Sequence, residues 1–529
     1  MSLDLRTSAA VSALVAFQLL CFATPGSAAA PANASDLRPL DAKHLPWVRK
    51  IDERFQSFQI GFSHLTGGET WKSYDDLPKD GGGGAGGFAA IREARLPTNL
   101  TNPRLLALTK ALGPLYIRYS GTTANSAYFS DHDAPLPTKP PTGFTVALTR
   151  PAWKGAVDFA KAVDAKIVTS FTNSDGIRDA SGLWTPRMAE PWLAYTRSIG
   201  GQIYAAELYN EPNAPEPPRT SKGHSPEEFA RDFAAFRAFV AQAAPKVKVA
   251  GPGTATMGVA GITSLERVTS EMYATAEPKP KFDIVSYHFY PALAERCAPA
   301  TSPMGASVDK ALTEEWLGRA SVELQKQKNF RDRFAPGAPI WLTETGGAAC
   351  GGLRWQPTFL DTFRYLDTQA RLAKEGADAI FTHALISGSN GVIDEKSFEP
   401  NASYWAALLW RRLMGTGVLD AGPLQPGLHL YAHCQRDTEG GVTFLALNLE
   451  NTSKTIQVSG AANLYALTAN DLQSKTVMLN GRPLALGGDH TLPILKPVRR
   501  NGGLIVLAPS SVTFITQPQA RNPSCRSTA

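Results

Sequence analysis

The most informative stretches of this chain are YNEPN at Tyr209–Asn213 and WLTET at Trp341–Thr345. In each stretch a glutamate, Glu211 or Glu344, ends a short apolar run that is typical of a buried strand. The carboxyl ends of the strands of one parallel barrel open onto the same face. Two carboxylates on either side of a sugar are the minimal equipment for glycoside hydrolysis. The two stretches therefore predict an enzyme built on a barrel.

Outward from these stretches, eight strand-like runs alternate with helical segments. The predicted strands lie near Phe58–Phe62, Leu115–Tyr119, Ile167–Phe171, Ile203–Leu208, Val247–Ala250, Ile284–Phe289, Ile340–Leu342 and Ala379–His383. Such alternation indicates βα units with right-handed crossovers, and eight units close a barrel. On this count Glu211 follows the fourth strand and Glu344 the seventh. A single glutamate near a strand end is ordinarily a salt-bridged or solvent-facing residue, so the residues around it must support a catalytic role.

After about Leu419 the pattern changes to short strands separated by turn residues, which is typical of an all-β module. The predicted fold class is α/β, a (β/α)8 TIM barrel followed by a C-terminal β-sandwich. The predicted division is a signal peptide over residues 1–30, a leader over 31–57 that adds a strand to the β-domain, a barrel over 58–418 and a sandwich over 419–529.

The amino terminus has the composition of an export signal. Arg6 precedes an apolar run from Ala9 to Phe22, and small residues follow at Gly26–Ala30. We therefore expect a secreted or periplasmic protein, and no later segment is long and apolar enough to span a membrane. The formal charge of +6 is compatible with a polyanionic substrate, although an ordinary basic exported protein explains it at least as well. We expect a monomer and no nucleic-acid partner.

Removal of the signal peptide leaves four cysteines, Cys297, Cys350, Cys434 and Cys525. An even number in an exported protein favours two disulfides, and four cysteines allow three connectivities. The cysteines are far apart and lack the close pairs of a zinc site. We expect no metal and no cofactor.

The residues near Glu211 and Glu344 favour a catalytic role for the two glutamates. Asn210, beside Glu211, can hold a sugar 2-hydroxyl, whose hydrogen bond strengthens in the transition state. Tyr290 ends the sixth predicted strand, so its hydroxyl can reach the carboxylate of the seventh strand and help to keep it ionised. Arg118 and His288 are the other expected supports of that anion.

At these residues the sequence resembles glycoside hydrolase family 79, the heparanase and β-glucuronidase family. The shared motifs are NEPN at Asn210–Asn213, ET at Glu344–Thr345, YIRYSGT at Tyr116–Thr122 and the segment from Ile393 to Leu419. Asn-Glu-Pro alone occurs across a large clan of barrel glycosidases, and the combination points to this family. The resemblance implies that Glu211 is the general acid/base and that Glu344 is the nucleophile.

The resemblance also implies a set of substrate-binding residues. The family holds a glucuronate carboxylate partly through backbone amides of the glycine-rich loop after the nucleophile, which here is Gly346–Gly352. Cys350 and Gly351 are the expected amide donors, and a simple turn is the alternative. Thr122 lies in the second-strand motif. Asn390 stands where the family has a carboxylate-binding tyrosine.

The resemblance further suggests how the cysteines pair. Cys434 and Cys525 match positions that the heparanase group uses to tie its β-domain to the chain end. Cys297 follows the sixth-strand aromatic motif and Cys350 follows the nucleophile, so both are expected at the catalytic rim. A bridge between them would pin the predicted carboxylate-binding loop.

The leading interpretation is a retaining endo-β-glucuronidase that cuts acidic polysaccharide such as heparan sulfate. An exo-β-glucuronidase that releases glucuronic acid from glycans or small glucuronides is the alternative enzyme. A non-catalytic glycan-binding barrel and a structural adhesion module are the alternatives from other classes.

Overall fold

The computed structural model describes residues 39–77, 87–133, 139–214, 224–257, 269–299 and 301–526. The predicted signal peptide lies outside the described residues. So do residues 78–86, which contain most of the glycine-rich run that follows the first barrel strand.

Eight parallel strands close into a barrel in chain order, which confirms the predicted fold class. The barrel strands, in order, are Gln56–Gly61, Leu115–Ser120, Ala165–Ser170, Ile203–Glu207, Lys248–Met257, Ile284–Tyr290, Ile340–Thr345 and Ala379–His383. The eighth strand pairs with the first through Ile380 and Gln56. Both faces of the strands are covered, which explains their nearly continuous apolar sequences.

Helices lie between the strands and cover the outside of the barrel. The α-helices are Ser63–Thr66, Gly87–Ala90, Pro103–Leu112, Arg150–Ala162, Ala189–Ser198, Pro226–Ala243, Ser270–Thr275, Glu314–Phe334, Phe359–Glu375 and Ala402–Leu413. The helix Pro226–Ala243 begins with a capping box, in which the Ser225 hydroxyl accepts from the Glu228 amide and the Glu228 carboxylate accepts from the Ser225 amide.

One barrel strand is much longer than its sequence predicts. The fifth strand was expected to end at Ala250, but it continues to Met257. The extension pairs with the whole of the sixth strand, ending at Met257 opposite Tyr290, with an irregularity between Pro252 and Thr254. Glycine and proline within this stretch hide its strand character, because both residues ordinarily weaken strands.

The β-domain consists of two sheets packed face to face. The larger sheet contains Trp47–Lys50, Met414–Leu419, Leu428–Gln435, Val442–Asn448, Ser511–Gln517, Ala462–Thr468, Met478–Leu479, Arg482–Pro483 and Val498–Arg500. The smaller sheet contains Pro39–Leu40, Lys454–Val458 and Gly503–Leu507. The segment before the barrel thus contributes a strand to each sheet, and residues from Met414 onwards already pair within the larger one.

Alternate residues of the larger sheet face two different cores. Phe444 packs with Ile456 and Ile505 of the smaller sheet, whereas Leu445 and Phe514 belong to the core shared with the barrel. This alternation follows from the two-residue period of a strand. The β-domain is therefore packed against the barrel along one whole face.

Two disulfides tie distant segments together. Cys434, in the strand Leu428–Gln435, is bonded to Cys525 near the end of the described chain, and 91 positions separate them. Closing a loop of this length stabilises by ~4–5 kcal/mol in the chain-entropy model. The second disulfide joins Cys297 to Cys350. These are the two predicted pairs.

A buried polar cluster joins the barrel to the β-domain. His429, in a β-domain strand, contacts Asp367 at 2.6 Å and Glu314 at 2.9 Å through its two ring nitrogens. The hydroxyl of Tyr431 donates to Asp367 at 2.5 Å, and Arg371 pairs with the same carboxylate at 2.8 Å. Burial by itself lowers the pKa of His429, but the hydrogen bonds and charges of Asp367 and Glu314 outweigh it and raise the pKa.

No helix among the described residues is long and apolar enough to cross a bilayer.

The His429→Gln variant is expected to lose stability in a pH-dependent way. Because the folded pKa of His429 is raised, its contribution is complete below the unfolded value of about 6.5 and is lost as pH rises through the folded value. The pKa of Asp367 is lowered, because His429 and Arg371 outweigh burial, so Asp367 stays anionic in this range. The deficit, about 1.5–3 kcal/mol, should therefore be largest near pH 5–6 and shrink towards pH 9. Urea unfolding against pH measures it, with exposed His132→Gln as the control; a deficit that grows with pH contradicts the assignment.

Candidate active site

The buried guanidinium of Arg118, in the second barrel strand, forms the floor of the site. Its Nε and one terminal nitrogen donate to Glu207 at 3.0 and 2.7 Å, and that terminal nitrogen also donates to Asn210 at 2.9 Å. The other terminal nitrogen donates to Gln59 at 2.6 Å and to Glu344 at 2.9 Å. All five donors of the guanidinium are used, which allows this cation to be fully buried.

Glu344, in the seventh strand, is held as an anion. Arg118 donates to one carboxylate oxygen, and the hydroxyl of Tyr290 donates to the other at 2.7 Å. Burial raises the pKa of Glu344, but His288, His383, Arg118 and the Tyr290 hydrogen bond together hold it well below its usual range. The Glu344 carboxylate is therefore ionised throughout the ordinary pH range.

Glu211 lies on a tight turn after the fourth strand. Its backbone φ is +50°, in the left-handed region that non-glycine residues seldom adopt. The turn is fixed by Asn125, whose side-chain amide exchanges hydrogen bonds with the backbone amide and carbonyl of Asn210, each at 2.8 Å. The Glu211 carboxylate contacts Nδ1 of His288 at 2.8 Å.

The two glutamates face each other closely. One carboxylate oxygen from each, together with a ring nitrogen of His288, forms a group of atoms that all lie within 4.8 Å of one another. A metal ion could also use such a trio, but the Arg118 cation already contacts Glu344 and opposes a second positive charge there. The separation fits the ~5–5.5 Å of retaining glycosidases better than the ~6.5–9.5 Å of inverting ones.

A cavity opens above the pair at the carboxyl ends of the strands. Of the predicted site residues, Asn210, Glu211, Glu344, Thr122 and Asn390 line it. Arg118, His288 and Tyr290 lie beneath and beside the two glutamates rather than on its wall. The structure thus gathers both predicted carboxylates and their predicted supports at one place.

Cys350 and Gly351 do not line this cavity themselves. The Cys350 backbone has a φ of +67°, and Gly351 and Gly352 follow at +79° and +82°, so the loop after the seventh strand is left-handed over three residues. A Cβ on Gly351 would lie 2.5 Å from Cγ of Trp71, and Trp71 does line the cavity. The disulfide to Cys297 anchors this loop at the rim.

Several residues of the site were missed by sequence reasoning. They are Gln59, Asn125, Glu207 and His383 in or after barrel strands, and His64, Glu69, Trp71 and Arg92 between the first and second barrel strands. Glu207 ends the fourth strand in the structure, and His383 ends the eighth strand, as it ended the run predicted from the sequence. Burial, with the nearby Arg118 charge, lowers the pKa of His383 although the Glu344 anion opposes this.

Sequence comparison identifies relatives over most of the chain. Heparanase-like protein 1 of Arabidopsis thaliana is 27% identical over 485 residues, which cover 81% of this chain and 86% of the relative. Heparanase of Mus musculus is 26% identical over 506 residues, covering 82% and 89%. Inactive heparanase-2 of Homo sapiens is 30% identical over 238 residues, 40% of each chain. No family model matches the chain.

Solved structures with the same fold are glycosidases of low sequence identity. A 4-O-α-L-rhamnosyl-β-D-glucuronidase from Fusarium oxysporum superposes with a TM-score of 0.59 at 14% identity, covering 89% of this chain and 99% of the other. A GH51 α-L-arabinofuranosidase from Thermotoga petrophila gives 0.59 at 12% identity, covering 90% and 99%. The fold and the relatives define a (β/α)8-barrel glycoside hydrolase. Within that class, the relatives that align with most of the chain are heparanases and heparanase-like proteins, which supports the family resemblance predicted from the sequence motifs.

The Arg118→Gln variant is expected to be destabilised by about 3–5 kcal/mol at pH 7, because Glu207 and Glu344 would remain buried without their cation. In the parent the lowered pKa of Glu344 gives a contribution that is present above the unfolded value of about 4.3 and is lost as pH falls through the folded value. The deficit should therefore keep its pH 7 size down to about pH 4.3 and shrink only below it, as pH falls towards the lowered folded pKa of Glu344.

Urea unfolding at pH 7 and at about pH 3 measures this difference. The control is Arg187→Gln, which removes an exposed arginine from the connection between the third barrel strand and the helix Ala189–Ser198. A deficit of equal size at both pH values would contradict a role in holding buried carboxylates.

Proposed function

We propose that this chain is a retaining β-glucuronidase that cuts uronate-containing polysaccharide, with heparan sulfate as the leading substrate. The observation that carries the proposal is the close approach of two carboxylates of which one, Glu344, is locked as an anion. A nucleophile must be ionised and accessible from one side of the sugar. Glu344 meets the first condition through Arg118 and Tyr290, and it lines the cavity.

In the first step, an oxygen of Glu344 attacks the anomeric carbon and forms a glycosyl-enzyme ester. The bond from that carbon to the leaving oxygen breaks, and Glu211 gives its proton to that oxygen. In the second step, Glu211 takes a proton from water as the water attacks the same carbon. The ester bond breaks, Glu344 is released as an anion, and the product keeps the β configuration.

His288 and Asn125 support the role of Glu211. His288 contacts the carboxyl group of Glu211 at 2.8 Å and lies 3.9 Å from Glu344, so its ring lies between the two glutamates and helps to position Glu211. Asn125 fixes the turn that aims Glu211 into the cavity. Holding a proton donor in place in this way contributes to catalysis through orientation.

The sugar itself would be held by groups around the pair. The Asn210 oxygen is occupied by Arg118, which leaves its NH2 group to donate to the sugar 2-hydroxyl. The amides of Cys350 and Gly351 are the proposed donors to the glucuronate carboxylate. The loop that carries them has positive backbone φ angles from Cys350 to Gly352 and packs beside Trp71 of the cavity wall. Thr122 and Asn390 complete the wall.

Similarity to the heparanases supports the proposed polymer and mode of cleavage. Heparanases of mouse and chicken align with most of the chain, which favours heparan sulfate and internal cleavage. An exported monomer that needs no cofactor is part of the same proposal.

Replacing either glutamate should separate the two roles. Glu344→Gly is expected to lower kcat/KM by more than about 10⁴-fold and Glu211→Gly by about 10²–10⁴-fold. Azide should restore turnover in both variants, giving an α-glycosyl azide with Glu344→Gly and a β-glycosyl azide with Glu211→Gly. A 2-fluoro-glucuronide should label Glu344, as located by peptide mass.

The matched control is Glu439→Gln, an exposed glutamate of the β-domain, which should keep parental activity. Full turnover by Glu344→Gln would exclude the catalytic role and favour a glycan-binding barrel. The same azide product configuration in both variants would contradict the assignment of roles.

Size-defined heparan sulfate distinguishes the cleavage modes. Internal cleavage should give several oligosaccharides, each with a glucuronate at its new reducing end, seen by mass spectrometry. Release of single glucuronic acid would show the exo alternative, and no release from any uronate polymer would reject the proposal. Proton NMR of the fresh product should show the β-anomer first.

A further inference from the structure

The backbone around Glu211 is strained. Glu211 has a φ of +50°, and it precedes Pro212, although the residue before a proline ordinarily adopts extended backbone. Such a conformation persists only where the surrounding structure over-determines it. Asn125 fixes the amino-terminal side of the turn through the backbone of Asn210. How firmly Glu211 is held therefore depends also on the residues that follow it.

Asn213 holds the carboxyl-terminal side of the turn. Its Nδ2 donates to the backbone carbonyl of Ala255 at 2.9 Å, and the backbone amide of Ala255 donates to its Oδ1 at 2.8 Å. The side-chain amide thus pairs with the backbone as a peptide group would, and it uses both a donor and its acceptor. Within the turn, the amide of Ala214 donates to the carbonyl of Glu211 at 3.0 Å. Glu211 is therefore close in the chain to a point that is fixed to a barrel strand.

Ala255 belongs to the extension of the fifth barrel strand, which runs to Met257. In this extension Ala255 lies opposite His288. The hydroxyl of Thr256 donates to the backbone carbonyl of His288 at 2.7 Å, and the His288 ring contacts the carboxyl group of Glu211 at 2.8 Å. The extension therefore supports both the turn of Glu211 and the side chain that Glu211 contacts.

Asn213 acts on Glu211 through the turn and not through the substrate cavity. Asn210 and Glu211 line the cavity above the two glutamates, whereas Asn213 lines a different cavity, together with Thr254 and Phe330. A side chain in this place can direct the Glu211 carboxyl group without touching a sugar.

We propose that Asn213, docked on Ala255, is a positioning residue that directs the proton of Glu211 to the leaving oxygen. This inference rests on the proposed function, because it takes Glu211 as the general acid/base. Asn213 itself gives and takes no proton. Its loss should leave the nucleophile in place, because Glu344, Arg118 and Tyr290 hold one another through their own hydrogen bonds.

Leaving groups of different basicity test this role. A phenolate needs a proton as its bond to the anomeric carbon breaks, whereas the much less basic dinitrophenolate leaves without one. The substrates are phenyl, nitrophenyl and dinitrophenyl β-glucuronides, each also extended by one N-acetylglucosamine so that either cleavage mode can act. For all of them kcat/KM reports the first chemical step, in which Glu211 is the acid.

Asn213→Ala in the full-length protein should lower kcat/KM for the phenyl substrates by about 10- to 100-fold, because displacing a catalytic group slightly costs about this much. With the dinitrophenyl substrates the loss should stay below about 3-fold, and the nitrophenyl substrates should fall between. A residue that serves only to hold the fold would not produce this dependence on the leaving group.

Two further variants complete the comparison. Asn213→Gln keeps the donor and the acceptor on a longer side chain, so it should restore part of the activity and lose about 3- to 10-fold with the phenyl substrates. Asn451→Ala, at an exposed position of the β-domain, is the matched control and should keep the parental values. Thermal unfolding shows whether Asn213→Ala is folded, and the leaving-group dependence of Asn213→Gln carries the test if it is not.

Two results would overturn the inference. One is an equal loss with all three aryl groups, and the other is parental kcat/KM in folded Asn213→Ala. Either result together with parental turnover would refute this inference alone. A parent without turnover on any uronide would refute the proposed function, on which the inference rests.

Discussion

The buried guanidinium of Arg118 is the constraint on which the rest of the site depends. It contacts side chains from the first, fourth and seventh barrel strands at once, through Gln59, Glu207 and Glu344. A full charge without exposure is tolerated only where every donor has an acceptor, and closing the barrel is what supplies them. The site and the fold are therefore not separable: a barrel that failed to close would leave a cation and two carboxylates buried without compensation.

The same interaction gives the two candidate catalytic glutamates different environments. Glu344 receives the Arg118 cation and the Tyr290 hydroxyl, whereas Glu211 stands on a strained turn, is more exposed and contacts a histidine. Pairs of carboxylates with unlike surroundings are how one site performs acid and nucleophile chemistry at a single pH. The strain at Glu211 is sustained by Asn125, which again ties the geometry to the second and third barrel strands.

The sequence predicted the parts of this arrangement that leave a local signature. All eight strands alternate with helices and are apolar, and Glu211 and Glu344 stand where such runs end. Glu207 was not predicted as a site residue because it lies inside an apolar run, although a charged residue in such a run indicates a buried partner. Trp71 and Arg92 could not be predicted as site residues from the sequence. Their strands, Gly68–Trp71 and Arg92–Arg95, lack apolar alternation and are brought together only by tertiary pairing.

The net charge of the chain does not describe the charge of the candidate cleft. The chain carries +6 overall, yet three carboxylates and a single arginine line the described cavity. The positive charge elsewhere can steer an acidic polymer from a distance, but it is screened over about 8–10 Å in physiological salt. Inside the cleft, short-range polar contacts with the residues of the cavity wall act at distances where this screening has little effect. Such contacts depend on the exact placement of a ligand, so a cleft of this kind can discriminate between ligands that net charge attracts equally.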